Sequence, residues 1–171
     1  MNVRDYMDIK IKKINSNAKS PTIHKGNNKI IDIYADEEVY IAPGETVTVK
    51  TGLAFIFPDD MGIMFMPQDN LHKKTSLRFP GVCMVLENRY YFKDEVKIYL
   101  QNTYCLKGET KKVSEYKLID GTKVIDPHKL LYIEGTVKIC KGDCIAQMMP
   151  VDAAYLNEDE IPKGHIINEK K

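Results

Sequence analysis

Two isolated carboxylates, a cluster of amides and lysines, and a run of aromatics are the side chains in this 171-residue chain best suited to binding and processing a small ligand. Glu87 heads the stretch Glu87-Asn88-Arg89-Tyr90-Tyr91-Phe92-Lys93-Asp94, where a carboxylate can act as a general base. Tyr90, Tyr91 and Phe92 beside it are costly to leave in water unless something packs against them, whether a ligand or another subunit. Upstream, Pro67 is followed by Gln68, Asp69 and Asn70, with Lys73 and Lys74 close behind. Asp32 stands alone in the apolar run Lys29–Ala35, and Gln147 closes Lys141-Gly142-Asp143-Cys144-Ile145-Ala146-Gln147. Only Arg4, Arg78 and Arg89 supply guanidinium groups, and that scarcity bears on any phosphate chemistry.

Composition narrows the partners. With 25 basic and 24 acidic side chains the net charge is +1, so no overall field draws the chain to nucleic acid or to an anionic membrane. No run approaches the roughly 18 apolar residues that a membrane span needs. The start of the chain lacks the apolar core of a signal peptide, and Cys83, Cys105, Cys140 and Cys144 show no CxxC pair, which together suggest reduced thiols in the cytoplasm. Cys140 and Cys144 could meet a metal with His128, but four properly spaced zinc ligands are not visible.

The elements that must position these residues read as strands. Asp8–Ile14 alternates apolar and basic residues, Ser16–Asn28 is rich in turn formers and reads as a loop, and the stretch from Lys29 to Pro58 breaks into short β-rich pieces at Ala35-Asp36-Glu37 and Ala42-Pro43-Gly44. Helical periodicity is absent, so the expectation is an all-β jelly roll or barrel in one domain over residues 1–156, with a tail at 157–171. Val82–Leu86 and Val96–Leu100 read as the two arms of a hairpin with Glu87–Asp94 at its tip. Residues 104–134 read as an insertion with an extra hairpin around Asp120-Gly121, its strands at Lys117–Ile119, Lys123–Ile125 and Lys129–Ile133.

Thr51-Gly52-Leu53-Ala54, Pro43-Gly44, Phe57-Pro58-Asp59-Asp60-Met61, Met66-Pro67 and Lys141-Gly142-Asp143-Cys144-Ile145-Ala146-Gln147-Met148 occur in an order that resembles the dUTPase family, within the superfamily shared with dCTP deaminase. The resemblance covers roughly Met7–Val151. It implies a distorted jelly-roll barrel of the dUTPase (β-clip) type, a homotrimer with three sites at subunit interfaces, and cleavage of dUTP to dUMP and diphosphate with Mg2+.

The resemblance also assigns roles. Asp32 would help hold the water shell of magnesium, against the plainer reading that it caps a turn. Glu87, twenty positions past Pro67 where the family's catalytic Asp stands, would activate water. The residue at the family's tyrosine position, here Tyr90, Tyr91 or Phe92 according to register, would pack on deoxyribose. Gln147 would contact phosphate.

The chain departs from the family where phosphate is gripped. Gln68, Asp69 and Asn70 replace the Arg-Ser-Gly or Arg-Ser-Ser that follows the proline, Cys144 replaces an arginine, and residues 157–171 carry no glycine-serine run. Lys73 and Lys74 supply charge but not a bidentate fork. Glu87 is one methylene longer than Asp, which moves the carboxylate by roughly 1.5 Å.

These losses favour a catalytically impaired nucleotide-binding protein that sequesters a nucleotide or nucleotide-derived signal, from an AT-rich phage or mobile element, with a protein partner as a further option. The alternative is a working, divergent dUTP diphosphatase. A dCTP deaminase is weaker, because its SSxxR pattern is absent from Pro67–Lys74.

Overall fold

The computed structural model describes residues 9–24, 30–57, 61–87 and 94–152. Its strands are short and punctuated by turns. In chain order they are β1 (Lys10–Lys13), β2 (Thr22–Ile23), β3 (Ile31–Tyr34), β4 (Val39–Ile41), β5 (Thr46–Lys50), β6 (Leu53–Ile56) and β7 (Met61–Pro67). A single helical turn, α1 (Leu71–Lys74), precedes β8 (Leu77–Arg78), β9 (Met84–Glu87) and β10 (Lys97–Asn102). The remainder are β11 (Lys112–Val113), β12 (Glu115–Leu118), β13 (Lys123–Ile125), β14 (Tyr132–Ile133), β15 (Val137–Ile139) and β16 (Cys144–Asp152).

The all-β expectation holds, with α1 the one helical turn among the described residues, which the sequence pattern did not reveal. Leu71 is buried and pins that turn to the core. Among the described residues the strands form five sheets rather than one closed ring, and the largest has the order β2-β3-β16-β7-β9. Its inner face supplies much of the core through Ile33, Ile63, Phe65, Ile145 and Met148.

Alternation places these residues inward. In β10, Ile98 and Leu100 are buried while Lys97 and Tyr99 face outward. Full burial of one such aliphatic side chain stabilises by about 2 kcal/mol.

The two arms expected to pair as a hairpin do not pair with each other among the described residues. β9 joins β7, and β10 lies between β5 and β8 in a separate sheet. The reason lies at the base of β10. Val96 N–H donates to Leu53 O at 2.8 Å, the Thr51 hydroxyl donates to Val96 O at 2.6 Å, and Gly52 N–H donates to the Glu95 carboxylate at 2.8 Å. The Thr51-Gly52 turn therefore captures the second arm and splays it from the first. The tip at 88–93 lies outside the described residues.

The insertion folds much as the sequence suggests. β12 and β13 pair antiparallel around Asp120-Gly121, while β12 also runs parallel to β15. Tyr40 stacks on Tyr132 with centroids 5.0 Å apart, and Tyr116 meets both rings edge-on, which fastens the insertion to β4. Asn102, fully buried, joins this region to the rest: its amide donates to Ile41 O and Gly135 O, and its carbonyl accepts from Ser76 and Tyr104.

Candidate functional site

Register brings Asp32 and Gln147 together. Gln147 on β16 is paired with Asp32 on β3 and with Met66 on β7, so the three stand in one row across the sheet. Gln147 is only 2% exposed and donates from Nε2 to Asp32 Oδ1 at 3.0 Å. A third residue completes the cluster. His24 Nδ1 lies 3.0 Å from Asp32 Oδ1 and 3.2 Å from Oδ2, within hydrogen-bond reach of both oxygens.

The Gln147 and His24 nitrogens, 3.0 Å apart, thus converge on the same oxygen. Asp32 does not cap a turn. Its side chain bonds His24 and Gln147, while the Asp36 carboxylate in the turn after β3 is held by Asn15 and Lys141.

His24 was not legible as a site residue. It sits in the stretch read as loop, where the two-residue strand β2 pairs Thr22 with Asp32 and delivers His24 to the carboxylate. The available signal was a β-branched pair, Thr22-Ile23, followed by a lone histidine eight positions before an aspartate.

The Pro67 segment leaves the same row. Pro67 is paired with Ala146, so Gln68, Asp69 and Asn70 emerge beside Gln147. Gln68 is partly committed, because its Oε1 accepts the Asn70 N–H at 3.2 Å and stiffens the turn into α1. Asp69, Asn70, Lys73 and Lys74 are exposed at this rim.

Cys144, paired with Tyr34 next to a β-bulge, is half-buried. Burial first, and the negative charge of Asp32 second, push its thiol up to about 12. It is therefore neutral near pH 7 and supplies none of the positive charge that an arginine would.

Glu87 is not part of this cluster within one chain. It ends β9 opposite Gly62, four residues (about 13 Å) down β7 from Met66 and three strands across from Asp32, so the two backbones stand about 20 Å apart. Between the splayed arms lies a cleft of about 290 Å³ lined by Met84, Leu86, Glu95, Val96 and Tyr99 among others. Tyr90, Tyr91 and Phe92 lie outside the described residues, as does the tail.

The donor set bears on magnesium. Mg2+ keeps several waters and takes one or two carboxylates plus ligand phosphates. Asp32 is partly exposed, with 18% of its side chain accessible, and its Oδ2 has capacity left. Among the described residues no three His, Cys, Asp or Glu side chains converge on a metal position. The cluster thus fits a hydrated Mg2+ held through water beside Asp32 and does not fit a protein cage.

No protein-family model matches the chain. It is 36% identical over 99 residues to a deoxyuridine 5'-triphosphate nucleotidohydrolase of Clostridioides difficile, covering 56% of this chain and 65% of that protein. To the Thermobifida fusca protein of the same name it is 28% identical over 159 residues, covering 90% of this chain and 70% of that one. The chain spans just under two thirds of the length of the first of these relatives.

Solved structures agree in fold. A point mutant of the dUTPase from phage phi11 of S. aureus, described with a structural Mg(II) ion, superposes with a TM-score of 0.80 at 18% identity, covering 92% of this chain and 99% of that one. The Staphylococcus bacteriophage 80alpha dUTPase with dUpNHpp gives a TM-score of 0.80 at 21% identity, covering 95% and 92%. The curated relatives are named for hydrolysis, so they lend no support to the expectation that hydrolysis has been lost. Among the described residues no helix is long and apolar enough to cross a membrane.

Proposed function

Taking the chain as a member of the dUTPase superfamily in sequence and fold, we propose that it binds a deoxyuridine nucleotide at a site shared between two copies of itself and hydrolyses dUTP to dUMP and diphosphate with Mg2+. The observation that carries this is the Asp32–Gln147–His24 cluster beside the Pro67–Lys74 rim, with Glu87 about 20 Å from Asp32 on the same sheet, beside the cleft between β9 and β10. One chain thus holds two half-sites. A homotrimer that sets the Glu87 end of one copy against the Asp32 end of the next would complete each of three sites.

In that assembly the phosphates would meet Gln147, Lys73, Lys74, Gln68 and Asn70, and Asp32 would hold a magnesium ion through its waters. Magnesium would supply charge neutralisation on the phosphates. Glu87 serves as the base for the attacking water, and Tyr90, Tyr91 and Phe92 cover the sugar and base. The enzyme works in the cytoplasm, where its four cysteines stay reduced, and a phage or mobile-element source accords with the lysine-rich, arginine-poor composition.

A second reading has its own support. The rim carries Asp69 and a neutral Cys144 thiol in place of cations, which lowers the grip on a transition state spread over phosphate oxygens. On that reading the protein binds and sequesters a nucleotide or a nucleotide-derived signal, alone or with a protein partner, with little turnover. Diphosphate release from dUTP with Mg2+ separates the two. Robust release that is lost in Glu87→Gln supports the enzyme, whereas tight nucleotide binding without release supports the sequestering protein.

A further inference from the structure

The inserted hairpin reaches the phosphate rim. Because β12 runs parallel to β15, with Lys117 beside Val137 and Leu118 beside Lys138, the turn after β12 is carried alongside the Cys140–Asp143 turn that follows β15. That turn also abuts α1. Gly121 has φ +89°, and a Cβ there would sit 3.0 Å from Lys74 O and 3.5 Å from Lys74 Cβ.

The turn is well made. Gly121 N–H donates to Leu118 O at 2.9 Å, and Thr122 N–H donates to Asp120 Oδ1 at 2.8 Å. Asp120 itself is exposed, between the helical turn bearing Lys73 and Lys74 on one side and Asp143 on the other. Its charge is felt in both directions. The Asp120 carboxyl is held low by its hydrogen bonds from Thr122 and then by Lys74, and its negative charge adds to the burial that raises Asp143.

We propose that the Asp120-Gly121 turn is a specificity-determining element of the nucleotide site, in which Gly121 sets where α1 presents Lys73 and Lys74 and the Asp120 carboxylate limits how much phosphate charge the rim accepts. The inference rests on the nucleotide-site reading above and adds a residue-level rule to it. The insertion discriminates between ligands by their number of phosphates.

The test is calorimetric titration of dUMP and of a non-hydrolysable dUTP analogue, with Mg2+, against the full chain and two variants. Asp120→Asn keeps the side-chain oxygen that accepts from Thr122 and removes only the charge. It should tighten the triphosphate analogue about threefold, tighten dUMP less, and lose most of that gain in high salt, where exposed charges are screened. Gly121→Ala should weaken the analogue about tenfold by pushing α1 away, since a positive-φ position also resists a side chain.

An unchanged ratio of triphosphate to monophosphate affinity in Asp120→Asn, with the unaltered chain binding both nucleotides, overturns the inference and leaves the nucleotide site standing. Failure of the unaltered chain to bind either nucleotide overturns the site reading, and the inference with it.

Discussion

The turns at Thr51-Gly52 and Lys141-Gly142-Asp143 and the loop at Pro67–Lys74 lie near one another in the fold but have kept different things. In the first region nearly every motif residue has a mechanical task. Gly52 has φ +67°, and a Cβ there would stand 2.6 Å from Ala18 Cβ and 2.7 Å from Asp36 Oδ2. Gly142 N–H donates to Ala35 O, the Asp143 carboxylate accepts from Cys140 N–H at 2.7 Å, and Lys141 pairs with buried Asp36 at 2.8 Å.

In the second region the polar side chains Asp69, Asn70, Lys73 and Lys74 are exposed, Gln68 is tied into the local turn, and Leu71 alone anchors the segment in the core. Residues that hold the sheets together match the family, while residues that would face phosphate have been exchanged. Motif likeness here therefore reports scaffold first and chemistry second.

The comparison is broken most severely at Gly52. Gly52→Ala should cost about 3 kcal/mol or more, through a strained backbone and a clash with Ala18 and Asp36, and appear as a large fall in Tm. A variant of near-normal Tm would show that the turn is less constrained than described.

The opposite experiment repairs the second region. Gln68→Arg with Asp69→Ser should leave Tm within a few degrees and raise dUTP affinity or turnover by about tenfold, because a guanidinium fork then replaces an amide and a repelling carboxylate. No gain would mean that the rim is not where phosphate binds.

Acid unfolding sharpens the contrast further. Burial alone would raise the Asp36 carboxyl, but the hydrogen bonds from Lys141 and Asn15 and the nearby lysines outweigh it and hold the group below its ordinary value. A depressed folded value contributes stability that is present above the unfolded pKa of about 4 and is lost as pH falls below that through the folded value. Asp36→Asn should cost about 2 kcal/mol at pH 7 and reduce the pH dependence of denaturant midpoints in that acid window. A midpoint that falls with acid as steeply in the variant would assign the effect to other carboxylates.

The smallest expected effect is chemical. Alkylation at pH 8 should label exposed Cys83 and Cys105 well before Cys144, whose thiol is neutral until about 12. Mass mapping of labelled peptides checks the order.

Much of this fold was legible because alternation and punctuation leave marks in sequence. The alternation of Val96–Leu100, the break at Ala42-Pro43-Gly44 and the insert hairpin around Asp120-Gly121 were all visible. The splaying of β9 from β10 was not, because it depends on Thr51, Gly52 and Leu53 capturing Glu95 and Val96 from more than forty residues away. The helical turn α1 was too short to show a period, and its buried Leu71 is a single apolar residue among polar ones.

At the site, Asp32 and Gln147 could be named from motif order, but their mutual hydrogen bond required the strand register. His24 escaped because two residues of strand carry no periodic signal.

On the proposed function each catalytic site draws Asp32 from one copy and Glu87 from another. Asp32→Asn and Glu87→Gln should each abolish diphosphate release from dUTP, while mixed assemblies formed by unfolding and refolding the two variants together should recover about a quarter of the unaltered activity, since half the copies supply each intact half-site. Mixed assemblies that stay as inactive as either parent, although the unaltered protein turns over after the same treatment, would contradict a site shared between copies.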